Sequence, residues 1–242
     1  HVTGVQTCAL PISGGEKEQT VAKMLWDDET LYVAYYCHDK HIAADVVERH
    51  GPVSLDDSVE IFVSPNPEKI RNYYGFEMNV IGTMLNFIRA DWYQGPFFSE
   101  PEGVRLRTSH GGVTVKRDSP EDRYWILEVA IPLKNFAKDA AHTPPQDGDR
   151  WRLNLNRAGG KTNAQYSTWS PVVTASRTSH SIHARQPVSS GASTCCAPNV
   201  SNCVASNLSI CAPVMEPRYC TWCSRDRKST RLNSSHVALS RM

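Results

Sequence analysis

Short β-rich runs separated by turn residues are the feature that most limits how this chain can fold. Between residues 20 and 175 the runs recur at intervals of roughly 10 to 20 residues and end at Gly, Pro, Asn or Asp. The predicted strands are Leu31–Cys37, Val59–Val63, Tyr73–Val80, Thr83–Ala90, Val104–Thr108, Val113–Lys116, Tyr124–Ile131 and Trp151–Arg157. This spacing favours an antiparallel β-sandwich over alternating strands and helices.

Helix signals are weak in the same region. Only Ala43–Arg49 and Leu133–Ala137 could each form one or two turns. Trp26, Trp125 and Trp151 lie in or beside strand-like runs and are expected in the core. The sequence therefore predicts one all-β domain over residues 13–175, large enough to bury a real core.

The amino-acid sequences at the two ends of the chain can both be read from one DNA segment, one from each of its strands. Val2–Ile12 reads VTGVQTCALPI, and the reverse complement of a DNA string that encodes it translates to DRKSTRLNSSH, the sequence of Asp226–His236. One string that explains both ends is identified as a sequencing-library adapter. Residues 1–12 and 226–242 are therefore interpreted as adapter-derived and are set apart from the fold.

Residues 176–225 are rich in Ser and Cys and show no apolar periodicity. We interpret them as an out-of-frame or disordered tail. A natural Ser/Cys-rich tail and a metal or disulfide module remain alternatives, since Cys220 and Cys223 have ligand spacing. Without this tail, Cys37 is the remaining cysteine of the domain, and cysteine usage says little about the redox compartment.

Charge and motifs exclude several classes of function. Residues 13–175 contain 18 Lys and Arg against 23 Asp and Glu, a net of −5, so we expect no nucleic-acid partner. No apolar run approaches the ~20 residues of a membrane helix, and we expect no membrane partner. Nucleophile-elbow, phosphate-loop, zinc-protease and dinucleotide motifs are absent from the sequence.

Carboxylates in strand-like runs are the remaining catalytic candidates. Glu60, Glu77 and Glu128 could supply the acid and base of a glycoside hydrolase if two of them lay ~5–10 Å apart in a groove. The alternative is a polar sheet face without catalysis, which we favour.

Metal and haem ligands are further candidates. The acidic doublets Asp27-Asp28 and Asp56-Asp57 suit either a structural Ca²⁺ site or turn ordering, and no metal ligands are assigned. The histidines at 38, 41 and 50 form no standard ligand set, so solvated loop positions are expected for them. Met78 or His38 could serve as a haem ligand on a sheet of this type.

Aromatic residues in loops point towards sugars. Trp92, Tyr93, Phe97 and Phe98 cluster around Gly95-Pro96, and Trp169 lies in a Ser-Thr-Trp-Ser-Pro stretch. Exposed rings of this kind stack on sugar faces while amides and carboxylates bond the hydroxyls. Trp92 and Trp169 are therefore candidate sugar-binding residues.

The order of motifs resembles one family. In sequence these are LWDDETLYVA (25–34), DSVEIF (57–62), YYGFEMN (73–79), WILEVAIP (125–132), GDRWRLN (148–154) and WSP (169–171). Over residues 21–172 the series is similar to the family 9 carbohydrate-binding modules and their close relatives. The resemblance implies a sandwich of jelly-roll type that binds sugar without catalysis.

The resemblance also implies context and site residues. Such modules belong to secreted polysaccharide-degrading proteins, so we expect an extracellular or periplasmic location, a poly- or oligosaccharide ligand and a catalytic domain in the intact protein. Some members bind structural Ca²⁺, and some related sandwiches hold haem, which leaves a redox subunit as an alternative. The sugar-contacting Glu and Asn of the family correspond to Glu60 and Asn79.

Three departures from the family pattern are visible. Ser54 stands where a clamping Trp is usual, and Glu77 stands where an Arg is usual. The first and last strands of the sandwich are expected to be missing from residues 13–175.

Overall fold

The computed structural model describes residues 4–9, 12–13, 15–69, 72–90, 94–169 and 219–221. Within these ranges almost all regular structure is β-strand. The strands are β1 (Gly4–Ala9), β2 (Ile12–Ser13), β3 (Thr20–Trp26), β4 (Thr30–His38), β5 (Asp57–Ser64), β6 (Tyr73–Asn79), β7 (Met84–Ala90), β8 (Gln94–Phe98), β9 (Arg105–Gly111), β10 (Tyr124–Pro132), β11 (Arg150–Gly159), β12 (Tyr166–Thr168) and β13 (Tyr219–Thr221). Three short 3₁₀ helices cover Val53–Leu55, Pro67–Lys69 and Leu133–Phe136.

The strands form two antiparallel sheets. The smaller sheet has the order β1-β3-β4-β10-β9. The larger sheet has the order β2-β12-β11-β5-β6-β7-β8, and β13 pairs with β11 beside this path. Apolar side chains from both sheets meet in one continuous core. The predicted antiparallel β-sandwich is therefore confirmed.

Alternation along each strand sends every second side chain into this core. On β4 the buried residues are Leu31, Val33, Tyr35 and Cys37, while the residues between them face away and are more exposed. Trp26, Trp125 and Trp151 are all buried there, as the sequence predicts.

A charged group also lies inside the sandwich. Arg157 of β11 points towards the smaller sheet and has no exposed side-chain surface. Its Nη2 donates to Oδ2 of Asp39 at 2.7 Å, and its Nη1 donates to the His38 carbonyl at 2.7 Å. Oε2 of Glu18 lies 3.5 Å from the same Nη2, and the Trp125 indole donates to Asp39 at 2.9 Å. The guanidinium thus joins the two sheets through buried, charge-assisted hydrogen bonds.

Seven of the eight predicted strands are present, and the prediction of a strand at Val113–Lys116 is wrong. This segment is an irregular loop. The Thr114 hydroxyl accepts a hydrogen bond from the Lys116 amide at 3.1 Å, a local bond that competes with a strand ladder. Thr20–Trp26, Gln94–Phe98 and Tyr166–Thr168 are strands that the sequence analysis did not predict.

The helical prediction for Ala43–Arg49 is also wrong, because carboxylates take up the backbone donors of this segment. Asp57 accepts from the Ala43 amide at 2.7 Å. Asp56 accepts from the amides of Asp45 and Val46 at 3.1 and 2.9 Å. These N–H groups are therefore not available for helical bonds. At Leu133–Phe136 the predicted turn is present as a 3₁₀ helix.

Residues near the amino terminus complete an edge of the smaller sheet. β1 pairs with β3 from Gly4 opposite Trp26 to Ala9 opposite Val21. The adapter origin of residues 1–12 remains a prediction, and resequencing the native locus across this junction decides it. Of the predicted tail at 176–225, only Tyr219–Thr221 lies within the described residues.

No helix in the part of the chain that the structure describes is long and apolar enough to cross a membrane.

Candidate functional site

The larger sheet has a second face, turned away from the core. Val59, Ile61 and Val63 of β5 point into the core, so Glu60 and Phe62 point to the opposite side. We call the surface formed by the outward side chains of β5, β6, β7, β11 and β12 the Glu60 face. It brings carboxylate, amide and aromatic side chains together.

The strand register places a row of side chains across this face at Glu60. Asn156 of β11 lies directly opposite Glu60 on one side, and Glu77 of β6 lies directly opposite it on the other. Thr168 of β12 continues the row beyond Asn156, and Leu85 of β7 continues it beyond Glu77. The centre of the face is therefore polar.

Glu60 is fully buried, and one of its two carboxylate oxygens is satisfied. Oε2 accepts from Nδ2 of Asn156 at 3.1 Å and from the Tyr166 hydroxyl at 3.4 Å. Oε1 is buried without a hydrogen-bond partner among the described residues. Burial raises the pKa of Glu60 to about 7, while the bonds from Asn156 and Tyr166 act to lower it. This group can thus change its charge near neutral pH.

An aromatic cluster occupies the next part of the face. The ring centroids of Phe62, Tyr73 and Phe87 lie between 6.0 and 6.2 Å from one another, two of the three pairs edge-to-face. The Arg89 guanidinium lies 5.7 Å from the Phe87 ring centroid, within cation–π range. Polar and aromatic groups therefore occupy adjacent parts of one surface.

The Phe87 ring lies over a glycine of the neighbouring strand. A Cβ added at Gly75 would lie 2.4 Å from Cζ of Phe87, and Phe87 is buried within the aromatic cluster. We expect Gly75→Ala to lower the free energy of unfolding by roughly 1–3 kcal/mol, because the enclosed ring has no room to shift. Chemical denaturation measures this loss.

Gly111→Ala is the matched control for this prediction. Its Cβ would lie 2.4 Å from Cε1 of Tyr124, a ring that is half-buried on the outer side of the smaller sheet and can move outward. A loss at Gly111 as large as that at Gly75 would contradict the enclosed packing of Phe87.

Asn79 is buried and its side chain serves the neighbouring loops. Its Nδ2 donates to the Val46 carbonyl at 2.8 Å and to Oδ2 of Asp56 at 2.9 Å. Its Oδ1 accepts from the Thr83 amide at 2.8 Å. The structure therefore does not bring the Asn79 amide into hydrogen-bond contact with Glu60, although both residues lie on the Glu60 face.

The two candidate tryptophans are placed differently. Trp169 is 6% exposed and packs in the core between the sheets, so its ring presents no open surface for sugar stacking. Its amide donates to the Leu155 carbonyl at 2.8 Å. Trp92 lies outside the described residues. Phe97 and Phe98, from the same aromatic run, are exposed on β8 at the sheet edge, where a loop was predicted.

Three residues of the acidic doublets, Asp27, Asp56 and Asp57, accept hydrogen bonds from backbone amides. Asp27 accepts from the amides of Glu29 and Thr30 at 2.9 and 2.7 Å, and Asp56 accepts from loop amides at 43–49. Turn ordering therefore accounts for Asp27 and Asp56, whereas Oδ1 of Asp57 is buried without a hydrogen-bond partner among the described residues. Among the described residues, no cluster of three or more His, Cys, Asp and Glu is arranged to hold a metal ion. Calcium binding stays a prediction.

The histidines lie in separate places. His41 is 3.1 Å from Oδ2 of Asp118, His50 is 2.8 Å from Oε1 of Glu100, and the His38 ring packs against Tyr36. They share no common site.

The remaining haem and catalytic candidates are not brought together either. Met78 is buried in the core, whereas His38 is exposed on the outer side of the smaller sheet. Glu128 also lies on that outer side, away from Glu60 and Glu77. Of the carboxylate candidates, only Glu60 and Glu77 share a surface.

The sequence analysis missed Asn156 and Tyr166, the two side chains that bond to Glu60. Asn156 falls within the predicted strand Trp151–Arg157, so its place on a strand was visible, but its pairing with β5 was not. Alternation of Arg152, Asn154 and Asn156 with apolar residues is the signal that marks a polar outer face on β11.

Known proteins resemble this chain in sequence pattern and in structure. A model of the family "Carbohydrate family 9 binding domain-like" matches residues 5–170. A protein from Bacteroides uniformis ATCC 8492 to which carbohydrate binding has been ascribed has a similar structure, with 20% identity, coverage of 74% of this chain and 83% of that chain, and a TM-score of 0.59. No curated protein matches the chain.

Two further structures are of a family 9 carbohydrate-binding module from Caldicellulosiruptor kristjanssonii. The complex with cellotriose is 16% identical, covers 69% of this chain and 73% of that chain, and has a TM-score of 0.47. The complex with glucose is 16% identical, covers 69% and 74%, and has a TM-score of 0.46. Because the family model matches more than half of the chain, the chain belongs to the carbohydrate family 9 binding domain-like family.

Proposed function

We propose that this chain binds oligo- or polysaccharide through the Glu60 face and does not transform it. The observation that supports this most directly is the buried Glu60 carboxylate, whose Oε1 has no partner among the described residues. A carboxylate and an amide side by side, here Glu60 and Asn156, accept from and donate to neighbouring hydroxyls of one sugar ring.

The surroundings of this pair suit a sugar as well. Tyr166 and Thr168 add hydroxyl groups to the same surface. Phe62 and Phe87, in the next row, are almost fully buried, so the apolar face of a sugar would reach them only after the same opening that exposes Glu60. Charge, amide and aromatic groups on one face form the usual composition of a saccharide site.

Access to the site sets a condition on the proposal. Glu60 and Asn156 have almost no exposed surface, whereas Glu77, Tyr166 and Thr168 are half-buried. A sugar therefore enters beside the half-buried residues and has to open the face before it contacts Glu60. The measured affinity includes the free energy of that opening.

The biological context belongs to the same proposal. By family resemblance, we infer that the domain comes from a secreted protein that degrades polysaccharides, acts outside the cell or in the periplasm, and is attached to a catalytic domain. A structural calcium ion is part of this inference, with no ligands assigned.

Isothermal titration calorimetry tests the proposal. Glucose and cello-oligosaccharides are the first ligands to try, because glucose and cellotriose are bound by the family modules from Caldicellulosiruptor kristjanssonii. Xylo- and manno-oligosaccharides follow. We expect saturable heat with at least one of them, and Asn156→Ala should weaken that affinity about fivefold or more by removing one hydrogen bond.

Ser109→Ala is the control, because Ser109 is exposed on the outer side of the smaller sheet. It should leave the affinity within twofold. Flat titrations with every saccharide, from a chain that melts cooperatively, would overturn the proposal. So would a loss of affinity that is equal in the two variants.

A further inference from the structure

A row of residues on the Glu60 face runs from the buried aromatic cluster to an edge of the larger sheet. Phe62 lies opposite Gly75 in the register, and Phe87 lies beyond it on β7. Phe98 of β8 lies opposite Phe87, and β8 is the last strand of the sheet in the described part of the chain. Phe62 and Phe87 are buried, whereas 58% of Phe98 is exposed. The row therefore ends in a ring that a ligand reaches without opening the fold.

The Phe98 ring packs against a loop residue. The His50 imidazole stacks on it, with the ring centroids 4.8 Å apart and an angle of 29° between the planes. His50 has a φ of 63°, in the left-handed region that residues other than glycine seldom adopt. Its amide donates to the Met84 carbonyl at 3.2 Å, which fixes the loop to the start of β7. One face of the Phe98 ring is therefore covered, and its exposed area lies on the remainder of the ring.

A carboxylate is held beside the same two rings. Nε2 of His50 donates to Oε1 of Glu100 at 2.8 Å, and Nη2 of Arg49 donates to Oε2 at 3.1 Å. The His50 hydrogen bond, and then the Arg49 charge, hold the pKa of Glu100 below its usual value, so this group is ionised at neutral pH. A carboxylate has about four acceptor positions, and 74% of this side chain is exposed. Glu100 can therefore accept further hydrogen bonds from a ligand.

A saccharide fits a ring and a carboxylate in this arrangement. The C–H face of a pyranose packs on an aromatic ring, and neighbouring hydroxyls donate to one carboxylate. We call Phe98, His50 and Glu100 the β8 edge site. We propose that it is a second saccharide contact, in which a sugar ring lies on Phe98 and donates its hydroxyls to Glu100. This inference rests on the proposed function for its class of ligand, but it concerns another place, where neither group has to be uncovered first.

The distance between the two contacts predicts a dependence on the length of the ligand. Three strand spacings separate β5 from β8, which places Phe98 about 14 Å from Phe62 across the sheet. A monosaccharide occupies one contact, whereas a long oligosaccharide reaches both. Two weak contacts on one ligand raise the measured affinity without any new interaction. The affinity should therefore rise from a monosaccharide to a hexasaccharide, and the β8 edge site should carry that rise.

Calorimetry on the full chain tests the inference. The probes are cellohexaose, xylohexaose and mannohexaose, each compared with its monosaccharide. We expect Phe98→Ala to weaken binding of the recognised hexasaccharide about fivefold or more, because the stacking surface is lost. Glu100→Ala should weaken it about as much, because the acceptor is lost. Phe98→Trp keeps an aromatic ring and should keep the affinity.

Phe97→Ala is the matched control. Phe97 is the preceding residue of the same strand, it is 56% exposed, and it lies opposite Ile88, which packs against the core. Alternation along the strand therefore turns Phe97 to the other side of the sheet from Phe98. Phe97→Ala should leave the affinity within twofold. If Phe98→Ala does not melt cooperatively, Glu100→Ala is the second readout, since Glu100 is exposed outside the strand.

The outcomes separate the two proposals. No heat with any saccharide, from a chain that melts cooperatively, overturns carbohydrate binding and this inference with it. Unchanged binding in Phe98→Ala and Glu100→Ala, together with weaker binding in Asn156→Ala, overturns the β8 edge site alone. An equal loss in Phe97→Ala and Phe98→Ala also overturns it.

Sedimentation velocity tests the other occupant of this edge, a second copy of the chain. We expect the wild type and Phe98→Ala to sediment alike. A wild-type dimer that Phe98→Ala dissociates would assign the edge to self-association and overturn the saccharide contact.

Discussion

The Glu60→Gln variant is expected to unfold with a different pH dependence from the wild type. Burial raises the pKa of Glu60 from the ordinary 4.5 to about 7 in the folded chain, so the folded chain holds a proton there that the unfolded chain has already released. Its contribution to stability is therefore fully present below pH 4.5 and is lost as the pH rises through 7.

The size of the effect follows from the same two values. At 1.36 kcal/mol for each tenfold change in proton affinity, the loss between pH 4.5 and pH 8 is at most about 3 kcal/mol. Urea denaturation of both proteins across this range measures it. The stability of the wild type relative to Glu60→Gln should fall by this amount as the pH rises.

A difference between two proteins isolates Glu60 from other buried acids. Burial also raises the pKa values of Glu18, Asp57 and Asp122, but these groups are present in both proteins and cancel. Glu128→Gln, at a half-buried position, should change the free energy of unfolding by less than about 0.5 kcal/mol. A pH-independent difference between the wild type and Glu60→Gln would show that Glu60 is solvated.

Removal of the interior guanidinium is expected to be the most damaging single change. Arg157→Met leaves Asp39 and Glu18 buried without their cation and removes the donor to the His38 carbonyl. Breaking a buried ion pair by deleting one partner costs about 3–5 kcal/mol. Equilibrium denaturation should show a loss of this size, which is a large part of the stability of an ordinary domain.

Two further variants test the cause. Arg107→Met replaces an exposed arginine of β9 whose guanidinium donates to the neighbouring Leu106 carbonyl, and it should cost less than about 0.5 kcal/mol. Asp39→Asn added to Arg157→Met should recover part of the lost stability, because it removes the buried negative charge that has no partner once Arg157 is replaced. If the double variant is less stable than Arg157→Met, the buried, unpaired charge of Asp39 is not the cause of the loss.

Much of the fold could be predicted from the sequence because the strand signal is local. Runs such as Tyr124–Ile131 combine β-branched and aromatic residues with alternating burial, and the structure forms a strand there. Thr20–Trp26 escaped prediction because Lys23 and Ala22 weaken that signal, and the strand is stabilised by pairing with β4. Whether such a segment forms a strand depends on its pairing with another strand and not on its local sequence alone.

The candidate site was less predictable for the same physical reason. Glu60 lies on a strand, as its sequence context indicates, but its acidity and its partners depend on β11 and β12. Asn79 has an amide whose chemistry suits sugar, yet the Asp56 carboxylate takes up its Nδ2, a contact that no local pattern reveals. Trp169 looked like a loop aromatic, although the core encloses it.

The position of β5 between a near and a distant partner has a consequence for how the protein assembles. β6 follows β5 closely in the chain, whereas the contact between Glu60 and Asn156 joins residues 96 positions apart. Pairings of such long range close late and slow folding towards the millisecond-to-second range. During synthesis one edge of β5 therefore waits unpaired until residues 150–159 emerge, and a chain that stops earlier exposes that edge to association with other chains.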